Sequence, residues 1–397
     1  MCRLHQTEEI LRKLALAMSA LAGLSLAATA AHADIKVGFV TSLSGAGASI
    51  GIPYSDGIKA AYEFQSEVGG EKIKLIQLDD GSDPSAATRA ARKLVQEEGV
   101  DLLMGTATAP STIAMIAVAN ELKVPMIAVS PINVAPAEGG ERWGIAVPQT
   151  PQLMVKVIAD HMKKEGVKTV GFIGYSDAWG DFVYNGAKAA EAEGGPKVTT
   201  NERYARTDTS VTAQALKVIA TQPDAFIDGG SGTQGALPLL ELRKRGFKGD
   251  FYGTPSLLNA DFIRVGGDAA EGVEVSAGPV IVTEQLPDGH FAKEIGMKFH
   301  EAYKKVNGKE VTDGFSGYSF DGWLIFLNAA EKALEKAEPG TPEFRKALND
   351  AIFSTKDLAG VHAVYNFTPE SSYGVDERSL VIVKLVDGKW VYQPESN

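Results

Sequence analysis

Residues 105–133 read GTATAPSTIAMIAVANELKVPMIAVSPIN, and this stretch decides the fold predicted for the chain. Residues 100–104 just before it, VDLLM, are predicted to form a strand. Pro110 stands where the following helix would begin, a position that proline favours. That helix ends before Val124, and a second strand covers residues 126–129. Because the carboxyl ends of neighbouring parallel strands open a crevice, and a helix start there offers free N–H groups, we expect this stretch to bind a carboxylate.

Strands and helices alternate on both sides of this stretch, which predicts an α/β fold with parallel, doubly wound sheets. A first series of strands and helices ends near Pro148, and a second series begins at residue 152. No flexible linker separates them, so we expect two lobes that face each other across a cleft. The principal predicted strands cover 35–43, 72–78, 169–175, 198–204, 225–228, 251–253, 361–367 and 380–386. The principal predicted helices cover 53–68, 84–98, 209–220, 233–245, 291–306, 315–337 and 342–353.

Composition excludes several classes of partner. The chain has 397 residues, of which 44% are hydrophobic and 22% are charged, so it is long enough for two or more compact units. Its formal net charge of −11 argues against nucleic acid and against an anionic membrane surface. A small anionic ligand is still allowed, because it responds to local dipoles more than to the net charge.

The N-terminus has the pattern of a secretory signal peptide over residues 1–33. Basic residues precede an apolar run over 14–28, and Ala31-His32-Ala33 forms a small-x-small cleavage site. An uncleaved anchor is the alternative interpretation. The single cysteine, Cys2, lies inside this segment, so the mature chain would have no disulfide. We therefore predict export to the periplasm.

The sequence offers little support for catalysis, a nucleotide or a metal. The glycines of SGAGASIG give G-x-G-x-x-x-G, one residue too long for a dinucleotide-binding loop. No histidine follows a strand end beside a serine or an acid, and G-x-S-x-G is absent from the sequence. Asp79, Asp80 and Asp83 form an acidic cluster, which a metal site or ordinary turn and cap roles could explain. We favour the turn roles and predict a protein that is not an enzyme, with no cofactor and no metal.

Five segments in order resemble the Leu/Ile/Val-binding family, the periplasmic solute-binding proteins of branched-chain amino acid type ABC importers. They are IKVGFVTSLSG at 35–45, LDDGSDPSAATRAARKLV at 78–95, the stretch 104–131, GGDAAEG at 266–272 and SFDGWLIFLNAAEKAL at 319–334. The resemblance implies a type I periplasmic-binding fold, in which two doubly wound parallel-sheet lobes are joined by a three-stranded hinge. It assigns residues 34–151 with 279–365 to lobe 1, and residues 152–278 with 366–397 to lobe 2.

The resemblance also implies which residues bind the ligand. The positions that match the family's carboxylate contacts, with one neighbour, are Thr108, Ala109, Ser130 and Ile132. The positions that match contacts to the rest of the ligand are Ile50, Trp179, Ser231, Ser256 and Phe315. Alanine and isoleucine stand where the family has a serine and a threonine. Ser130 is therefore the hydroxyl expected to anchor the carboxylate.

The family's acidic partner for the ligand ammonium group falls at Ser256, which carries no charge. Asp228 or Asp177 could replace it from a neighbouring strand end. A hydrophobic amino acid and an amine-free aromatic or 2-oxo acid are therefore both open as ligands. The resemblance implies a monomeric receptor that delivers its ligand to an inner-membrane permease with its ATPase. A sensing module of the same fold, which passes its ligand to a signalling partner, is the alternative.

Overall fold

The first sheet carries the stretch at 105–133. The computed structural model describes residues 34–136 and 138–394, so the predicted signal peptide lies outside the described residues. Six strands pair in the order β2-β3-β1-β4-β5-β6, and every pair except the one between β2 and β3 is parallel. These strands are β1 (Ile35–Thr41), β2 (Glu67–Val68), β3 (Glu71–Asp79), β4 (Leu102–Gly105), β5 (Met126–Ala128) and β6 (Gly144–Ala146).

Helices cover both faces of this sheet. Successive side chains of its strands point to opposite faces, so they enter two apolar clusters, one on each face. Met104 points to the face covered by α1 (Ala48–Phe64), whereas its neighbour Leu103 points to the opposite face. That opposite face is covered by α2 (Pro84–Gln96) and α3 (Ala109–Leu122). Burial on both faces makes β1, β4, β5 and β6 almost continuously apolar, as parallel strands usually are.

The second sheet has its own core and pairs in the order β16-β15-β12-β11-β10-β7-β8, with β9 also pairing with β7. Its first strands are β7 (Thr169–Tyr175), β8 (Lys197–Val198), β9 (Glu202–Tyr204), β10 (Ala225–Gly229), β11 (Asp250–Gly253) and β12 (Glu274–Ala277). The accompanying helices are α4 (Pro151–Lys164), α5 (Ala178–Ala192), α6 (Thr212–Ala220), α7 (Ala236–Lys244) and α8 (Ala260–Gly266).

The rest of the chain returns to the first core and then to the second sheet. Its helices are α9 (Lys293–Asn307), α10 (Phe315–Leu334) and α11 (Pro342–Phe353), and its strands are β13 (Leu358–Ala359), β14 (Val364–Tyr365), β15 (Val381–Val386) and β16 (Lys389–Gln393). The hairpin predicted at Asp387-Gly388 is confirmed, because β15 and β16 pair antiparallel around it. Both turn residues have positive φ (50° and 72°), as a two-residue hairpin turn requires.

The chain passes between the two sheets three times, at residues 147–150, near residue 278 and again before residue 381. Two α/β sheets with these passages confirm the predicted fold class. The lobe boundaries at 151/152, 278/279 and 365/366 stay a prediction. Tyr373 forms an isolated bridge with Ala146 of the first sheet, although it lies in the segment assigned to lobe 2. Within the described residues, no helix has both the length and the apolar character needed to cross a membrane.

The first helix was wrongly predicted to begin at Pro53 and to reach residue 68. It begins at Ala48 and ends at Phe64, so Pro53 lies inside it. Proline cannot donate to the carbonyl four residues earlier, which here belongs to Ser49. Asn259 Nδ2 of the second lobe donates to that carbonyl instead, at 3.4 Å. Residues 67–68 are strand β2, which pairs with β3.

Other predicted elements also differ from the structure in their ends or extent. The strand predicted at 198–204 is two short strands, β8 and β9, with residues 199–201 between them. The strand predicted at 361–367 is limited to β14. The helix predicted from residue 209 begins at Thr212, because Asp208 closes a turn on the N–H of Ala205.

Candidate functional site

A small cavity lies between the carboxyl ends of the two sheets. Its volume is about 40 Å³. Seven of the nine predicted site residues line it: Ile50, Ala109, Ser130, Trp179, Ser231, Ser256 and Phe315. The lining also contains residues that the sequence did not single out, namely Tyr54, Ala107, Pro131, Pro148, Met154, Arg206, Pro255 and Tyr318.

The first-sheet side of the cavity offers hydrogen-bond donors to an anion. Thr108 caps α3, and its hydroxyl oxygen accepts from the N–H of Ser111 at 3.3 Å. Among the described residues, the N–H groups of Thr108, Ala109 and Ser130 have no hydrogen-bond acceptor, and neither does the Ser130 hydroxyl. Ser130 is nevertheless buried, with 4% of its surface exposed. Free N–H groups at a helix start, next to a hydroxyl without a partner, are groups that can bind a carboxylate.

Two predicted residues do not reach the cavity with their side chains. The Thr108 hydroxyl is used in capping α3. Ile132 is fully buried on the opposite face of the first sheet, in the cluster that contains Leu103 and Met115. Their predicted contacts with a ligand remain predictions, and for Ile132 only backbone atoms could make one.

The second-sheet side is ordered around the carbonyl of Gly230. The indole Nε1 of Trp179 donates to this carbonyl at 3.0 Å, and the Ser256 hydroxyl donates to it at 2.9 Å. Trp179 follows Asp177, which caps α5 by accepting from the N–H of Trp179 at 2.9 Å. The indole is thus held as a fixed apolar wall whose polar atom is satisfied.

Aromatic rings form much of the remaining wall. Tyr54 donates to the carbonyl of Val129 at 2.6 Å and meets Phe315 edge to face, with 5.6 Å between the ring centres. Tyr318 donates to Gln149 Oε1 at 2.7 Å. Burial raises the pKa of both tyrosines, so their hydroxyls stay neutral. A flat, apolar ligand tail would fit between such rings.

Arg206 is the only charged residue that lines the cavity among the described residues. Its Nε donates to Asp177 Oδ2 at 2.6 Å, and its Nη1 donates to Ser231 Oγ at 3.2 Å. The guanidinium lies over the Tyr175 ring, 4.0 Å from its centre. Sequence reasoning missed this residue, although it stands two positions after the predicted strand 198–204, where a strand-end loop faces the cleft.

Neither candidate replacement for the ammonium partner lines the cavity. Asp177 pairs with Arg206 and caps α5, so its charge is already compensated. Asp228 is buried, and its Oδ1 accepts from the N–H of Gly230 at 2.6 Å. Burial raises the pKa of Asp228 to about 8, so this carboxyl is neutral at pH 7. Within the described part of the chain, the cavity therefore has no carboxylate to offer an ammonium group.

The acidic cluster near the first sheet has structural roles. Asp79 Oδ1 accepts from the N–H groups of Leu43 and Gly81, both at 2.8 Å. Asp83 caps α2 by accepting from the N–H of Ala86 at 2.7 Å. No group of three or more histidine, cysteine, aspartate or glutamate side chains that could hold a metal occurs among the described residues.

Comparison with known proteins assigns the chain to a family. A family model described as periplasmic binding protein matches residues 34–383. The Leu/Ile/Val-binding protein BraC3 of Rhizobium johnstonii is 27% identical over 91% of this chain and 94% of its own length. An extracellular ligand-binding receptor from Rhodopseudomonas palustris HaA2 superposes with a TM-score of 0.87 at 42% identity, covering 91% of this chain and 100% of that one.

A third comparison shows the fold alone. The solute-binding protein of an ABC transporter from R. palustris, solved in complex with benzoate, superposes with a TM-score of 0.72 at 21% identity. It covers 91% of this chain and 95% of that one. The match over residues 34–383 is the decisive one, since it covers the first sheet, the second sheet up to the start of β15, and every residue that lines the cavity. The chain belongs to the periplasmic binding protein family, as a ligand-binding receptor of its branched-chain amino acid-binding branch and not as an enzyme.

Proposed function

We propose that this protein is the receptor of an ABC importer and that its ligand is a small carboxylate without an amino group. One observation carries the choice of ligand: the cavity has free N–H groups and an arginine, but no carboxylate among the described residues. An α-amino acid would bury its ammonium group without an acidic partner, which costs several kcal/mol. An amine-free acid avoids that cost and keeps the carboxylate contacts.

The cavity also favours an apolar tail that is planar or short. Trp179 approaches from the second lobe, and Phe315 approaches from α10, which packs on the first lobe. Aromatic faces and edges at such positions stabilise an aromatic ring by stacking. The related R. palustris protein in complex with benzoate supports an aromatic acid, and the Leu/Ile/Val-binding relatives support a branched aliphatic tail.

Binding would proceed by closure of the two lobes over the ligand. Contacts between the two lobes support this: Ala109 at the start of α3 packs in the apolar cluster of the second sheet. Ser49 of α1 accepts from the second lobe twice, at its hydroxyl from the Thr233 N–H (3.2 Å) and at its carbonyl from Asn259 (3.4 Å). We propose that the closed surface is what an inner-membrane permease with its ATPase recognises, in the periplasm and with the receptor as a monomer.

Matched pairs of ligands test the proposal directly. Leucine and 4-methyl-2-oxopentanoate differ only at the amine-bearing carbon, and phenylalanine and phenylpyruvate form a second such pair; benzoate completes the panel. The melting temperature of the purified protein should rise with the amine-free members, since a ligand at 100 times its Kd adds about 2.7 kcal/mol to stability. Stabilisation by leucine but by neither 2-oxo acid nor benzoate would contradict the proposed ligand class.

A further inference from the structure

Arg206 presents a fixed donor that the protein does not use. Two of its three nitrogens have partners, Nε on Asp177 and Nη1 on Ser231. Nη2 has no hydrogen-bond acceptor among the described residues. The side chain is only 14% exposed and lines the cavity, which places the guanidinium beside the ligand space.

The guanidinium is also held in place before any ligand arrives. It stacks on Tyr175 at 4.0 Å, and the Tyr175 hydroxyl donates to the carbonyl of Ser231 at 2.8 Å. Asp177 is itself fixed, because it caps α5. The guanidinium is therefore fixed by three neighbours, namely Tyr175, Asp177 and Ser231. Because it loses little side-chain entropy when it binds an acceptor, its contribution to affinity and specificity is large.

Charge decides what kind of acceptor suits this donor. Asp177 compensates the charge of Arg206 at 2.6 Å, whereas the free N–H groups of Ala109 and Ser130 across the cleft have no acidic neighbour in the lining. The anionic end of a ligand is therefore better placed at the first lobe. A neutral oxygen, which needs one donor and no full counter-charge, is better placed at Arg206.

We infer that Arg206 determines specificity by donating from Nη2 to a neutral oxygen on the tail of the ligand. The inference rests on the proposed function and narrows it. The ligand class becomes a small carboxylic acid with a hydroxyl or carbonyl oxygen on the side away from its carboxylate, such as a hydroxylated aromatic acid. An unsubstituted acid would bind more weakly, because the buried donor would lose its water without gaining an acceptor.

Calorimetric titration of matched acids tests this role. The probes are benzoate, 3-hydroxybenzoate and 4-hydroxybenzoate, with pentanoate and 5-hydroxypentanoate as an aliphatic pair. In the wild-type protein, at least one hydroxylated acid should bind about 10- to 100-fold more tightly than its parent, the range for a hydrogen bond from a charged donor. In Arg206→Met this advantage should fall to less than about threefold, and the parent acid should bind at least as tightly as it does to wild type, because the donor that it leaves unpaired is gone.

Two further variants keep the result interpretable. Arg206→Met leaves Asp177 without its partner, so the double variant Arg206→Met/Asp177→Asn is measured as well; asparagine retains the oxygen that caps α5. Arg203→Met is the matched control. Arg203 is on the same segment, but it donates to the carbonyl of Tyr175 at 2.9 Å and does not line the cavity. It should preserve the advantage of the hydroxylated acid.

Three outcomes would overturn the inference. Equal loss of affinity for parent and hydroxylated acids in both Arg206 variants would make Arg206 a carboxylate anchor. A hydroxyl advantage that persists in both variants would assign it to another residue. If wild-type protein binds leucine and none of the five acids, the proposed function fails, and the inference fails with it.

Discussion

Substitution of Asp228 by asparagine gives the sharpest test of the electrostatics around the cavity. Asp228 is the penultimate residue of the fully buried strand β10, and its Oδ1 accepts a hydrogen bond from the N–H of Gly230. The carbonyl of the same glycine holds Trp179 and Ser256. Asparagine keeps the accepting oxygen and the shape of the side chain, so Asp228→Asn changes the titration of this position with little change in the loop.

The size of the expected change in stability follows from the pKa of Asp228 in the folded and unfolded states. Burial raises the pKa of Asp228 from 3.8 to about 8 in the folded protein. Below pH 3.8 the carboxyl is protonated in both states. As the pH rises from 4 towards 8, the unfolded chain loses the proton while the folded protein keeps it. The free energy of unfolding therefore falls by about 1.4 kcal/mol per pH unit, or on the order of 4 kcal/mol between pH 4 and pH 7.

The assay is urea-induced unfolding of wild type and Asp228→Asn at pH 4, 5.5 and 7. The buried carboxyls of Asp313 and Asp321 also have a raised pKa (about 6 and about 7), but both proteins contain them, so their contribution cancels in the difference. The variant should gain stability relative to wild type by about 4 kcal/mol across this range. A difference that is independent of pH would show that Asp228 is ionised in the folded protein and would refute the reasoning.

The same variant separates the two ligand classes. Because Asp228 is neutral and does not line the cavity, Asp228→Asn should bind an amine-free acid within about twofold of wild type, a change of less than 0.5 kcal/mol. If wild type binds leucine and the variant does not, Asp228 is the ammonium partner after all. Calorimetry at pH 7 distinguishes these results.

Three other substitutions test the cavity and its closure. Ser130→Ala should weaken every bound carboxylate by about 5- to 15-fold, as loss of one hydrogen bond of 1–1.5 kcal/mol predicts, and unchanged affinity in calorimetry would remove Ser130 as an anchor. Tyr318→Phe leaves the buried Gln149 Oε1 without its donor, so urea unfolding should show a loss of about 1–3 kcal/mol; an unchanged midpoint would contradict the importance of this bond. Ser49→Ala removes the acceptor for the Thr233 N–H across the cleft. Stopped-flow measurements should therefore show that the ligand dissociates about 3- to 10-fold faster, while the stability of the ligand-free protein changes little. Equal destabilisation of the ligand-free protein would argue against a role of Ser49 in closure.

Local patterns were sufficient wherever a strand or helix is specified by its own residues. The stretch 105–133 is an example: β4, α3 and β5 follow in the predicted order, and Pro110 lies in the first turn of α3. The helix predicted at 342–353 has the same bounds in the structure, because Thr341 caps it and Pro342 begins it. Caps, prolines and the apolar period act over a few residues, so the sequence contains them in full.

Pro53 shows where local reasoning fails. Proline is favoured at the start of a helix, so the sequence placed the start of α1 there. The structure extends α1 five residues further towards the N-terminus, from Ala48. What compensates the Ser49 carbonyl is Asn259, more than 200 residues away in the other lobe. A contact of that kind is a property of the folded, closed molecule and has no signature near Pro53.

The charge of the residues around the cavity also depends on contacts between residues far apart in the sequence. From the sequence, Asp177 was one of two acids, with Asp228, that could hold an ammonium group of the ligand. Arg206 reverses that expectation, since its Nε binds Asp177 while its guanidinium faces the cavity. The two residues are 29 positions apart and meet only because β7 and β9 pair. The pairing of strand-end residues therefore decides whether the binding site offers a ligand a negative charge or a hydrogen-bond donor. A chain of this fold with Asp177 but no cation at position 206 would favour a ligand with an amine, whereas this chain favours a ligand with an oxygen there.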